Sequence, residues 1–194
     1  MGRDDWATLE EDLAVLLGRG EREEALTRAW KAYAPKLLGY LATVLDDDDD
    51  ARDALAQASE HAWKGLAGFR GESTVRSWLY RLAWNAAMTQ LRVRERRHER
   101  RLETPEDFPE ARRETTAQHR RTSVRGRVAE LRRQLDPAEQ TLLTLRVDRG
   151  LSWNEIAHVM DAEAPALRKR YERLKSRLRA MVVDDGLLAP PDPE

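Results

Sequence analysis

The chain has 194 residues, 41% of them hydrophobic and 36% charged, with a formal net charge of −1. That length allows one medium domain or two small ones, and so polar a balance suits two small cores, which carry more surface per volume. Cysteine is absent, which excludes disulfides and thiolate metal sites, and His61, His98, His119 and His158 lie too far apart for metal-ligand spacing, so no metal or cofactor is expected.

The opening Met1-Gly-Arg-Asp-Asp-Trp6 lacks the basic-then-apolar order of a signal peptide. The longest apolar-rich stretch, 37–45, is broken by Gly39 and Thr43 and is too short to span a bilayer. A soluble, cytoplasmic protein with no membrane contact is the expectation. Net charge says nothing about nucleic acid, but its distribution does: 46–50 is an unbroken run of Asp, and 92–133 and 168–179 are rich in Arg. Any one such cluster is equally a solvated face.

Strand-like alternation is missing, and Ala, Leu, Glu and Arg dominate, so the fold class is all-α. Leu9, Leu13, Leu16 and Leu17 predict a first helix ending near Gly18 or Gly20. Ala25, Ala29, Tyr33, Leu37, Leu41 and Leu45 continue the helical spacing, with Pro35 a point of kinking or division. The Asp run is expected as an exposed loop. A third helix over 50–66 places Ala51, Leu55, Ala58, Ala62 and Leu66 on one stripe. A turn, Phe69-Arg-Gly-Glu-Ser73, follows, with Ser73 as the expected N-cap of a helix carrying Val75, Trp78, Leu79, Leu82, Ala86 and Leu91. This helix should dissolve into Arg94-Glu-Arg-Arg97. Trp63, Trp78 and Tyr80 read first as core aromatics.

Periodicity fails between 96 and 122, where Pro105, Pro109 and mixed charges mark a flexible polar linker. The expected organisation is an N-terminal domain over 1–95, the linker over 96–122, a second domain over 123–183 and a disordered tail over 184–194.

The second domain has the clearest punctuation. Asp136-Pro-Ala-Glu139 combines a capping Asp, a Pro at the first helical position and a Glu that completes a capping box. The helix it opens carries Leu142, Leu143, Leu145 and Val147 and should stop at Gly150. Ser152-Trp-Asn-Glu155 is a second capping box, opening a short helix with Ile156, Ala157, Val159 and Met160 inward. After a break at 161–164, with Ala164 in the capping position, Pro165 opens a last helix whose Leu167, Tyr171, Leu174 and Leu178 form an apolar stripe. A short helix, a tight turn and a longer basic helix are the parts of a helix-turn-helix. The last helix starts with Pro165 and Ala166 and projects Arg168, Lys169, Arg170, Arg173 and Arg177, suited to base edges at its start and phosphates further along.

In the first domain, Phe69 to Asn85 sets aromatics beside cations and one polar amide, with Arg70, Ser73, Thr74, Arg76, Trp78, Arg81 and Asn85 as the candidate contact residues. Aromatic faces with nearby cations suit unpaired bases. This segment resembles the promoter-melting segment of the extracytoplasmic-function (ECF) subgroup of bacterial RNA polymerase sigma factors, and Leu151-Ser-Trp-Asn-Glu-Ile-Ala-His-Val-Met160 resembles that family's C-terminal helix-turn-helix. Upstream, Asp53 and Trp63 match a helix that docks on polymerase in the family. The resemblance covers roughly residues 9–178.

The resemblance implies a sigma factor with no catalytic site. Its N-terminal domain would bind core RNA polymerase, with Asp53, Ala56, Gln57 and Glu60 on the clamp helices of the largest subunit, and would melt the −10 element, capturing bases in one pocket near Asn85 and the 71–75 turn. The helix at Pro165 would read the −35 element in the major groove, and the flap of the second-largest subunit and an anti-sigma factor would be further partners. The chain departs from the family pattern at Ala56, Ser59, Thr89 and Pro165-Ala166. Two other classes stay open: a helix-turn-helix regulator that never engages polymerase and needs a dimer, and a sigma-like interaction module.

Overall fold

A computed structural model describes residues 3–103 and 130–184. Among them every regular element is helical and no strand occurs: α1 (Arg3–Gly18), α2 (Arg22–Leu45), α3 (Asp48–Gly65), a 3-10 turn (Leu66–Gly68), α4 (Val75–Glu103), α5 (Pro137–Leu143), α6 (Trp153–Met160) and α7 (Ala164–Asp184). Most of the expected linker, the first residues of the second domain and nearly all of the tail lie outside the described residues. No described helix is long and apolar enough to cross a membrane.

Pro35 does not divide α2. It sits on the exposed side with Lys31, so the carbonyl that loses its partner can turn to water. The Asp run is not a loop either. Asp46 ends α2 in the left-handed region at φ 50°, Asp47 caps α3 by accepting from the amides of Asp49 and Asp50 at 2.9 Å each, and Asp48–Asp50 form the first helical turn. Negative charge is favoured there because the first turn presents unpaired amides and the positive end of the helix dipole.

Ala51, Ala54, Ala58 and Ala62 are fully buried, a small-residue face that lets α3 lie close against α2 and α4. One residue beyond Ala62 the helix has rotated about 100°, so Trp63 points outward and is 48% exposed, against the expectation of a core aromatic. Tyr80 is buried, as expected, and Trp78 is half-buried. Leu13 and Leu16 bring α1 onto this bundle, and Trp6 stacks on Tyr33 with ring centres 5.1 Å apart. Helix α4 does not dissolve near Arg94 but continues to Glu103. Its final turns are built from Arg, Glu and Leu, good helix formers, and no Pro or Gly intervenes before Pro105.

Both capping boxes form. Asp136 accepts from the amide of Glu139 at 2.8 Å and Ser152 from that of Glu155 at 3.3 Å, with each glutamate closing back on the cap residue's amide. After α5 the backbone widens into a π-helical turn (Thr144–Asp148). The wider turn changes which side chains face the core, and Val147 is 55% exposed. In α6, Ile156 and Val159 are buried, while Ala157 and Met160 are half-buried. Asp161 takes the left-handed region at φ 51°. Helix α7 begins one residue earlier than expected: Ala164 is already helical, and the carbonyl of Glu163 accepts from Leu167.

The two helical parts share a core. Leu142, Leu145, Leu151, Ile156, Val159 and Leu167 belong to the same buried cluster as Leu37, Tyr40, Leu79, Tyr80 and Ala83. A smaller cluster of Leu135, Leu143 and Leu174 holds α7 on α5. Polar contacts cross the junction as well: the hydroxyls of Tyr40 and Thr141 are 3.2 Å apart, and Arg149 donates to the carbonyl of Lys36 at 3.2 Å.

Candidate nucleic-acid interface

Helix α7 keeps its cationic face outward. Leu167 and Leu174 are buried, Tyr171 and Leu178 partly so, and Arg168, Lys169, Arg173 and Arg177 are exposed. The expected contact residues nevertheless divide by what already holds them. Arg170 donates to both carboxylate oxygens of Asp136, at 3.0 and 2.9 Å, and Arg177 pairs with Glu139. These two cations clip α7 to the start of α5. Arg168 lies 6.0 Å from the ring centre of Trp153, whose ring Arg146 also approaches at 4.8 Å. Lys169 and Arg173 carry no ion pair among the described residues, and they line an open groove of about 590 Å³ with Ala166, Arg170, Arg177 and Glu139. Pro165 and Ala166 stand exposed at the second and third helical positions.

The second cluster surrounds the start of α4. Thr74, not Ser73, is the cap: its hydroxyl oxygen accepts from the amide of Ser77 at 3.1 Å and its carbonyl from Trp78 at 3.0 Å. Two further amides, of Val75 and Arg76, donate to the carboxylate of Glu10 at 2.8 and 2.9 Å. Three of the four amides that a helix start leaves open, those of Val75, Arg76 and Ser77, are thereby satisfied. Sequence reasoning missed Glu10, because no local pattern links α1 to α4. Phe69 packs on Trp78 with ring centres 4.9 Å apart. Gly71 holds φ at +74°, a backbone conformation that side chains disfavour.

An open groove of about 990 Å³ runs between α1 and the 67–75 segment, with Leu17, Phe69, Arg70, Gly71, Ser73 and Thr74 among its walls. Asn85 is not among them. It sits ten residues along α4 from Val75, about 15 Å at the helical rise. Asn85 is instead exposed on its own stretch of helix, one turn beyond Arg81.

Helix α6 covers part of this cluster. The carboxylate of Glu155 accepts from Arg76 at 2.8 Å and from the hydroxyl of Thr74 at 3.3 Å, and Asp161 meets Arg81 at 3.4 Å. Burial pushes the Glu155 carboxyl up, but the bonds from Arg76 and Ser152 outweigh it and hold the group below the ordinary glutamate range. The His158 imidazole is pushed down by burial and then by the charge of Arg81.

The third set lies on α3. Asp53, Ala56 and Glu60 are exposed, Glu60 paired with Lys64, and Gln57 and Ser59 are half-buried. Trp63 extends the same outer face. The described residues hold no cluster of His, Asp and Glu that would bind a metal ion.

Residues 29–97 match the family described as Sigma-70 region 2. The RNA polymerase sigma-H factor of Pseudomonas aeruginosa is 32% identical over 154 residues, covering 75% of this chain and 80% of that protein. The ECF RNA polymerase sigma factor SigG of Mycobacterium tuberculosis is 27% identical over 215 residues, covering 94% of this chain but only 58% of the relative's length. Among solved structures, the sigma factor RpoE from Bartonella quintana, crystallised with the anti-sigma factor NepR, shares the fold with a TM-score of 0.65 at 18% identity, covering 81% of this chain and 96% of that one. A match to region 2 across residues 29–97, joined to a relative aligned over most of both chains, leads to one assignment: the chain belongs to the extracytoplasmic-function subgroup of bacterial RNA polymerase sigma factors.

Proposed function

We propose that this protein binds core RNA polymerase and directs it to promoters by reading the −35 element with α7 and opening the −10 element with the 69–85 segment. The observation that carries the reading is the pairing, in one chain, of a basic helix-turn-helix with exposed Lys169 and Arg173 and an aromatic, cationic segment around Trp78. A helix of about 10–12 Å diameter enters the major groove, where Arg168 at its start faces base edges and Lys169 and Arg173 face phosphates. The outer face of α3, with Asp53, Ala56, Gln57 and Glu60, is the surface offered to the clamp helices of the largest subunit. The flap of the second-largest subunit is the partner proposed for the C-terminal lobe, and an anti-sigma factor is a further one, by analogy with the structural relative. The place of action is the cytoplasm.

In this arrangement the Arg76 side chain is held and largely buried by Glu155 and is not open to DNA. Promoter contact therefore requires the lobes to part, with polymerase setting their separation. Run-off transcription from a randomised promoter library, using purified core polymerase with and without the protein, tests the reading. Protein-dependent transcripts sharing two spaced sequence elements support it; transcription indifferent to the protein overturns it.

A further inference from the structure

We propose that Glu10 is a positioning residue for promoter opening: from α1 it sets where the melting turn and the start of α4 stand. The inference rests on the sigma-factor reading above and adds to it a residue outside the stretch 29–97 that matches the family.

Both carboxylate oxygens are used. Oε2 accepts from the amide of Val75 at 2.8 Å, and Oε1 from the amide of Arg76 at 2.9 Å and from the Tyr33 hydroxyl at 2.6 Å. Tyr33 is 1% exposed and stacked on Trp6, so the third bond ties the carboxylate to the core of the N-terminal lobe. Burial, reinforced by Glu10, pushes the Tyr33 phenol far above its ordinary value, which keeps it a proton donor at every physiological pH. A continuous path thus runs from the core, through Tyr33 and Glu10, to the two amides at which α4 begins.

The turn has few other anchors. Residues 69–74 form no helix, and Gly71 adopts a left-handed backbone. Phe69 on Trp78 holds one end of it. The other end is held by Thr74 and by Glu10, which also lines the open groove beside Arg70, Ser73 and Thr74. Losing the carboxylate leaves two helix-start amides unpaired and lets the turn drift, and with it the side chains proposed to meet unpaired bases. A positioning role acts on the opening step and not on duplex capture, because α7 is untouched.

The test uses holoenzyme assembled from core polymerase and the full chain, on a promoter selected by the wild-type protein from a randomised duplex library. Opening is followed by permanganate reactivity of unpaired thymines, which yields both a rate and an active fraction. Glu10→Gln keeps one acceptor oxygen and replaces the other by a donor, so it should slow opening about tenfold or more, the loss expected for one charge-assisted hydrogen bond, with closed-complex affinity within about twofold of wild type, since duplex contacts are made elsewhere. Amide exchange at Val75 and Arg76 should accelerate in the same variant. Tyr33→Phe removes only the third bond and leaves both amide bonds in place, so it should slow opening less than Glu10→Gln does. If Glu10→Gln does not fold, Glu10→Asp, which retracts the charge by one methylene, is measured in the same way.

The inference is overturned if the variant opens promoters at the wild-type rate, if only its active fraction falls while the rate holds, or if Tyr33→Phe is as slow as Glu10→Gln. A wild-type protein that opens no promoter at all overturns the sigma-factor reading itself, a different result from any of these.

Discussion

Arg76 at the start of α4 and Glu155 in the first helix of the helix-turn-helix meet at 2.8 Å across the junction between the lobes, with both side chains more than four-fifths buried. The pair uses one carboxylate for two purposes, because Glu155 also closes the capping box on Ser152. It also sets a cost for opening the molecule: separating the lobes breaks this charge-assisted bond, and hydration of the two freed charges offsets part of the loss. Nearby, Nε of Arg76, Nε of Arg149 and Nε2 of His158 are buried without a partner. Water would satisfy all three once the lobes part, which offsets some of that cost.

Glu155→Gln should therefore loosen the junction, by about 1.5–3 kcal/mol for a charge-assisted bond, and raise the radius of gyration in X-ray scattering. The pH dependence follows from the depressed carboxyl. Its contribution is complete above the ordinary glutamate value of 4.5 and is lost as pH falls through the lower folded value. Acid expansion of the wild-type protein should thus begin below that value and be blunted in Glu155→Gln. Identical acid profiles for the two proteins would count against the latch.

Lys169→Ala and Arg173→Ala should each weaken binding to every duplex alike and lower the slope of log affinity against log salt by about one. Arg168→Ala should instead relax discrimination at one base pair, costing about 1–3 kcal/mol if its guanidinium makes a bidentate contact with guanine. Filter binding of the full chain across a salt series separates the two behaviours. A salt slope unchanged in Lys169→Ala and Arg173→Ala excludes the basic face of α7 as the phosphate contact.

Arg170 and Arg177 are expected to behave differently from their neighbours, since they are already held by Asp136 and Glu139. Arg170→Ala should lower the melting temperature modestly, in keeping with an exposed pair worth about 0.2–1 kcal/mol. Asp136→Ala should cost more, about 0.5–2 kcal/mol for the helix cap alone, because it removes the cap of α5 and frees Arg170 together. Calorimetry of the two variants ranks them; equal losses would show that the cap contributes nothing.

Asn85→Ala should slow promoter opening while leaving capture of a −35 duplex intact. Its side chain is exposed on α4 and outside the shared core, so the substitution should not alter stability. An equal loss in opening and in duplex capture would remove Asn85 from the melting step.

Much of this architecture is readable locally. Asp136 with Glu139, and Ser152 with Glu155, are three residues apart, and the helix start itself brings such a pair together whatever the rest of the chain does. The stripe from Leu167 to Leu178 is legible for the same reason, because helical periodicity alone puts those residues on one face. The acidic run has the composition of a loop, yet Asp47 caps α3 and the next three residues favour the positive end of its dipole. Trp63 has the residue type of a core position but lies outside it, because residue type says nothing of which side of Ala62 a helix turns to its neighbours.

The amino-acid order alone was enough to specify the helices, most of their ends and the two segments by which the family is known, since each depends on interactions within a few residues. Tertiary structure decided the rest. Glu10 meets Val75 across 65 residues and Arg76 meets Glu155 across 79, so neither contact has a local signature. Both exist only because α1 packs beside α4, and the C-terminal lobe settles on it, to bury a common apolar surface.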